Sequence, residues 1–129
     1  MKWFLALLLA AATTAAPAKP LTVKMGESWA FRISKGEPVQ PRKVASTAKP
    51  AKGEIIVTAR SFLGTMLTAV NGTGRGWTFK AELVNGGKAS PARTCTLPAS
   101  TAPTMEQWQG KQAQAVRISK FVPADGGKC

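Results

Sequence analysis

The chain contains no histidine and no tyrosine. Without histidine a Ser-His-Asp site is excluded. The usual zinc and iron ligand sets also lose their main member. Acidic groups are scarce as well. The six are Glu27, Glu37, Glu54, Glu82, Glu106 and Asp125, and no two lie close enough in sequence to suggest an acid–base dyad. A hydrolytic carboxylate pair would therefore have to be assembled by the fold, with Glu54 and Glu82 as its testable members. Serine and lysine are plentiful, but no Ser-x-x-Lys stands with supporting motifs. "GTGRG" lacks the lysine and the strand-to-helix setting of a phosphate loop. Met25, Met66 and Met105 are widely scattered and read as core filling rather than as a copper site. The reading is thus non-enzymatic, with no metal and no cofactor expected.

Long apolar runs are also few. One opens the chain, in "MKWFLALLLAAATTAAPAKP". Lys2 precedes an unbroken apolar stretch from Trp3 to Ala12, and small residues follow at Ala16 and Ala18. The run is shorter than the about 20 residues a bilayer requires. It reads as a signal-peptide helix, residues 1–18, removed by a cut after Ala18. The expectation is a periplasmic or secreted protein that does not span the membrane. Residues 19–129 then form one domain, of the size a single small core supports.

Only two cysteines occur, Cys95 and Cys129. In an oxidising compartment an isolated pair far apart in sequence reads as a structural disulfide, not a redox couple. Such a bridge pins residues that otherwise fray.

Several stretches alternate apolar and polar residues, the mark of a half-buried strand. In "SWAFRIS", Trp29, Phe31 and Ile33 oppose Ser28, Arg32 and Ser34. In "GWTFKAELV", Trp77, Phe79, Ala81 and Leu83 oppose Thr78, Lys80 and Glu82. "RTCTL" (93–97) and "QAVRISKFV" (Val116 and Ile118 against Arg117 and Ser119) read the same way. "EIIVTARSFLGTMLTAV" holds two strands, or one strand broken near Gly64. "NGTGRG" (Asn71–Gly76) reads as a hairpin turn or longer glycine loop, and "NGG" (Asn85–Gly87) ends the Trp77 strand. The stretch Gly36–Glu54 carries three prolines and reads as an edge strand with loops. "TMEQWQGK" offers a weak capping box, Thr104 to Gln107, and predicts one short helical turn. These elements imply an all-β fold: a single small β-sandwich of roughly seven strands. It resembles the immunoglobulin domains in general architecture, without their Cys…Trp…Cys spacing.

What the chain has in excess is positive charge. The full sequence carries +12. Removing Lys2 with the leader leaves 17 basic against six acidic side chains, or +11. A small exported domain this basic is drawn to polyanions. The partner expected is an anionic envelope component or a periplasmic protein. Basic residues beside aromatics (Arg32 with Phe31, Arg75 with Trp77, Lys80 with Phe79) would suit nucleic acid. On an alternating strand, however, such neighbours point to opposite faces, which argues against nucleic acid. Arg42, Lys43 and Arg75, in the two loop regions, are the candidate contacts. Trp108, in a polar context, is either a further contact or a lid on the core. The other function compatible with these features is a disulfide-braced enzyme inhibitor presenting "CTLPAST", or a small hydrolase.

Overall fold

The computed structural model describes residues 19–129, and every regular element in that span is a β-strand. The leader assigned to residues 1–18 lies outside the described residues. There are nine strands: β1 (Leu21–Lys24), β2 (Ser28–Ser34), β3 (Glu37–Val44), β4 (Ile55–Ser61), β5 (Gly64–Asn71), β6 (Trp77–Asn85), β7 (Lys88–Ala92), β8 (Thr104–Gln109) and β9 (Ala115–Pro123). They form two antiparallel sheets, β1-β9-β6-β7 and β3-β2-β4-β5-β8, stacked as a β-sandwich.

Alternation places the core. Trp77, Phe79, Ala81 and Leu83 of β6 turn inward beside Leu21 and Val23 of β1 and Val116 and Ile118 of β9. From the other sheet come Phe31, Ile55, Val57, Ala59, Leu67 and Ala69. Phe121 sits among aromatic rings, with centroids 5.3 Å from Phe79, 5.5 Å from Phe31 and 6.3 Å from Trp77. Burying each such ring contributes roughly 1.5–3 kcal/mol. The β9 pattern slips by one residue between Ile118 and Phe121. There the register against β6 shifts and Lys120 takes a positive φ of 54°. This bulge returns Phe121 to the inner face, and it leaves Ser119 buried where strict alternation predicts exposure.

Proline placement follows the missing ladder donor. Pro38 and Pro41 lie on β3 and Pro91 on β7, both edge strands. Pro41 adjoins a register shift against β2 and follows Gln40, whose φ is 52°. The stretch 36–54 is therefore an edge strand followed by a loop, as its prolines predict. Residues 55–71 make two strands, folded back at Phe62–Leu63 just before Gly64.

Other expectations need correction. The count is nine strands rather than roughly seven. The helical turn expected at Thr104–Gly110 is strand β8, where Glu106 and Trp108 are buried and Met105, Gln107 and Gln109 are exposed. That is a two-residue period. "RTCTL" is not a strand; it contributes one bridge, Leu97 to Trp77. Of the two readings of "NGTGRG", the longer glycine loop holds and the hairpin does not, because it joins β5 in one sheet to β6 in the other. "NGG" does close a hairpin, with Asn85 opposite Lys88. Of the methionines, Met25 packs on the core, whereas Met105 is 65% exposed and fills nothing. No helix among the described residues is long and apolar enough to cross a membrane.

Candidate functional site

Arg42 and Lys43 are neighbours on β3, so a strand's two-residue period sends them to opposite faces. Arg42 lies opposite Ala30 and Lys43 opposite Trp29. Each meets a carboxylate. The Arg42 guanidinium donates to both oxygens of Glu54, at 2.8 and 3.0 Å from Nη2, and Ala51 N–H donates to Oε1 at 3.0 Å. The Ala51 amide, helped by Arg42, holds the Glu54 carboxyl below its ordinary range against the cost of burial. Lys43 Nζ stands 2.9 Å from Glu27 Oε2 and lies over the Trp29 ring at 5.9 Å. Glu27 Oε1 accepts from Trp29 Nε1 at 3.0 Å and from the Lys24 N–H at 3.1 Å. The indole donor first, then Lys43 and the Lys24 amide, lower the Glu27 carboxyl to about 2. Arg42 and Lys43 thus do not form one joint cationic surface. Both are held by the protein's own acids.

The two loops predicted to carry contacts do meet. Gly53 N–H donates to Gly72 O and Gly72 N–H to Glu54 O, both at 2.8 Å. A Cβ at Gly72 would lie 2.8 Å from Glu54 O and 2.9 Å from Ala51 O, so only glycine permits this approach. The crossover behind it is well ordered by Asn71. Its buried amide donates to Arg75 O at 2.7 Å and Pro98 O at 2.9 Å, and its Oδ1 accepts from Thr73. Trp77 Nε1 donates to Thr73 Oγ1 at 2.8 Å, and Arg75 lies over the Trp77 ring at 5.5 Å. Arg75 departs here from the rule that basic and aromatic neighbours diverge. Phe31 with Arg32 and Phe79 with Lys80 obey it, the ring buried and the cation exposed.

Beside Arg75 is a cleft of about 290 Å³, walled by Gly74–Gly76, Thr96, Pro98, Ala99 and residues 124–127. Its far wall is tied down by the Cys95–Cys129 disulfide. Thr96 N–H donates to Lys128 O at 2.7 Å and Ala124 N–H to Gly76 O at 3.0 Å. Arg75 is the cation at this cleft and Asp125 the acid.

Trp108 is in the core. Its ring is 7% exposed and Nε1 donates to Arg93 O at 2.8 Å. It serves as the lid, not as an exposed anchor. Next to it on the inner face of β8, Glu106 accepts from Cys95 N–H at 2.7 Å. Burial raises its carboxyl above the ordinary value, and the Cys95 amide opposes that rise. Glu54 and Glu82 do not come together: Glu82 lies in the other sheet, 3.9 Å from Arg117 and 4.0 Å from Lys80. Among the described residues no cluster of three or more Cys, Asp or Glu is arranged to hold a metal ion.

Phe62 and Leu63, which the sequence pattern does not single out, are 56% and 65% exposed at the β4–β5 turn. They fell inside an apolar run that reads as strand, and only the fold-back after Ser61 exposes them. No protein-family model, curated protein or solved structure matches the chain.

Proposed function

We propose that this chain is an exported, non-enzymatic β-sandwich that binds an anionic component of the cell envelope through its basic surface. The carrying observation is the fate of the acids. Glu27, Glu54 and Glu82 each face a cation of their own fold, and Glu106 is buried against an amide. The remaining lysines and arginines set the outward field, and a field of one sign draws polyanions. Arg75 at the cleft, with Lys49 and Lys52 on the adjoining loop, is the contact region this favours. The disulfide and the leader-like opening support a location outside the cytoplasm, periplasmic or secreted.

The test is capture from native envelope extract with a salt wash. An anionic polymer should be retained at low salt and released as the screening length shrinks from about 10 Å at 0.1 M to about 3 Å at 1 M. Substituting glutamate at Lys49, Lys52 and Arg75 together should abolish retention. Retention that survives both treatments would sink the proposal.

A second reading has one observation behind it. Residues 98–103 are all exposed, and they are held between the Leu97–Trp77 bridge and β8. A stiff exposed loop of this kind suits an enzyme inhibitor. Inhibition of an envelope hydrolase that disappears on reducing Cys95–Cys129 would favour it over polymer binding.

A further inference from the structure

The β4–β5 turn presents two large apolar side chains on a backbone that is firmly held. Phe62 N–H donates to Gly64 O at 3.1 Å, and Gln107 Nε2 donates to Phe62 O at 2.7 Å. Gly110 N–H donates to Leu63 O at 2.9 Å. Leu63 has a φ of 52°, a left-handed conformation that leucine adopts at a cost. Asparagine or glycine would sit there more easily and would not expose an apolar side chain. No packing within the fold compensates, because both side chains stand mostly in water. Single exposed apolar residues are ordinary. Two in succession, fixed at the tip of a hydrogen-bonded turn, are a presented feature.

The rim of this tip is cationic. Arg60 precedes it on β4 and Lys111 follows Gly110, whose amide holds the Leu63 carbonyl; both are exposed. Neither of the two strand ends that build the tip, residues 60–66 and 107–114, contains an Asp or Glu. A soluble polyanion has use for the cations but none for the phenyl and isobutyl groups. A bilayer with anionic headgroups has use for both. The side chains enter the headgroup–acyl boundary while the cations meet phosphates.

We infer that the Phe62–Leu63 tip, with Arg60 and Lys111, docks the protein peripherally on a bilayer of anionic phospholipid. The inference rests on the basic exported domain described above and gives it a second anionic contact, the membrane surface, apart from the Arg75 cleft.

The experiment is co-sedimentation of the oxidised protein with phosphatidylglycerol–phosphatidylcholine vesicles and with phosphatidylcholine alone. Dextran sulfate binding is measured in parallel as a soluble polyanion. The expected result is binding to the anionic vesicles. Phe62→Ser/Leu63→Asn should weaken it by roughly tenfold or more, the effect of losing buried apolar area. That variant should leave dextran sulfate binding intact. Arg60→Gln/Lys111→Gln should weaken the preference for anionic over neutral vesicles. Asparagine tolerates the left-handed backbone, so Tm should hold or rise; Phe62→Ser alone leaves that backbone untouched and carries the test if the double variant misfolds. Equal vesicle binding by the wild type and the tip variants would overturn the inference and leave polyanion binding standing. Binding to dextran sulfate but to no vesicle would do the same, and would point the tip towards an apolar pocket on a protein. Binding to neither would overturn both.

Discussion

Glu27 sits two residues before the Trp29 that donates to it and three after the Lys24 whose amide also does. Its ionised form is therefore favoured in the fold and has no such partners in the unfolded chain. A carboxyl lowered in the folded state contributes stability that is present above its ordinary value of 4.5 and lost as pH falls towards about 2. Glu54 acts in the same direction. Glu106 acts oppositely: with its carboxyl raised by burial, its ionisation is a cost that appears as pH rises through the acid range and is relieved on acidification. At neutral pH Glu27→Gln should lose about 1 kcal/mol, a modest figure because the group borders solvent. Urea midpoints of the variant and the wild type should converge as pH approaches 2. A constant gap across that range would mean that size or shape at position 27, not charge, carries the effect.

At the scale of the element, the β4–β5–β8 unit shows how one residue fixes three strands. Gly64 opens β5 with a φ of 123°, and a Cβ there would collide with the Trp108 carbonyl and lie 2.7 Å from Gly110 N. Gly64→Ala should therefore cost about 2–3 kcal/mol or more, through strain and through separation of β5 from β8. Hydrogen exchange would show it as early loss of protection at Gly110 and along β8. This unit also marks the limit of what the sequence disclosed. The β6 strand was legible because all four inward positions, Trp77, Phe79, Ala81 and Leu83, are apolar. β8 was not, since one of its two inward positions is Glu106, whose burial depends on an amide eleven residues away in the chain. β7 was invisible because its edge position leaves Lys88, Ala89, Ser90 and Pro91 exposed, with no alternation to read. The candidate contacts were legible only as residue types. That Arg42 and Lys43 would be claimed by Glu54 and Glu27, and that the loops holding Glu54 and Gly72 would meet, are consequences of register and of close backbone approach at glycine.

For the whole molecule, the two sheets are joined by packing and by loops, and one disulfide closes the chain's end onto the connection between them. Cys95 lies between the sheets' outer strands β7 and β8, and Cys129 follows β9, so the bridge binds the connection leaving one sheet to residues beyond the last strand of that same sheet. Closing a loop with a separation of 34 residues restricts the unfolded chain far more than the folded one. On the chain-entropy account this contributes about 4 kcal/mol. Replacing both cysteines with serine should lower stability by about 2–5 kcal/mol, read as a fall in the urea midpoint. The loss should be uneven. The core around Phe121 does not use the bridge, whereas the Thr96–Lys128 hydrogen bonds and the cleft wall at residues 124–127 lean on it. Exchange at Thr96 and Lys128 should accelerate before that of β6 or β9, at conditions where both variants remain folded. If polyanion binding at Arg75 needs that wall, it should weaken in the double-serine protein while vesicle binding through the distant Phe62–Leu63 turn persists, which would separate the two surfaces in one variant.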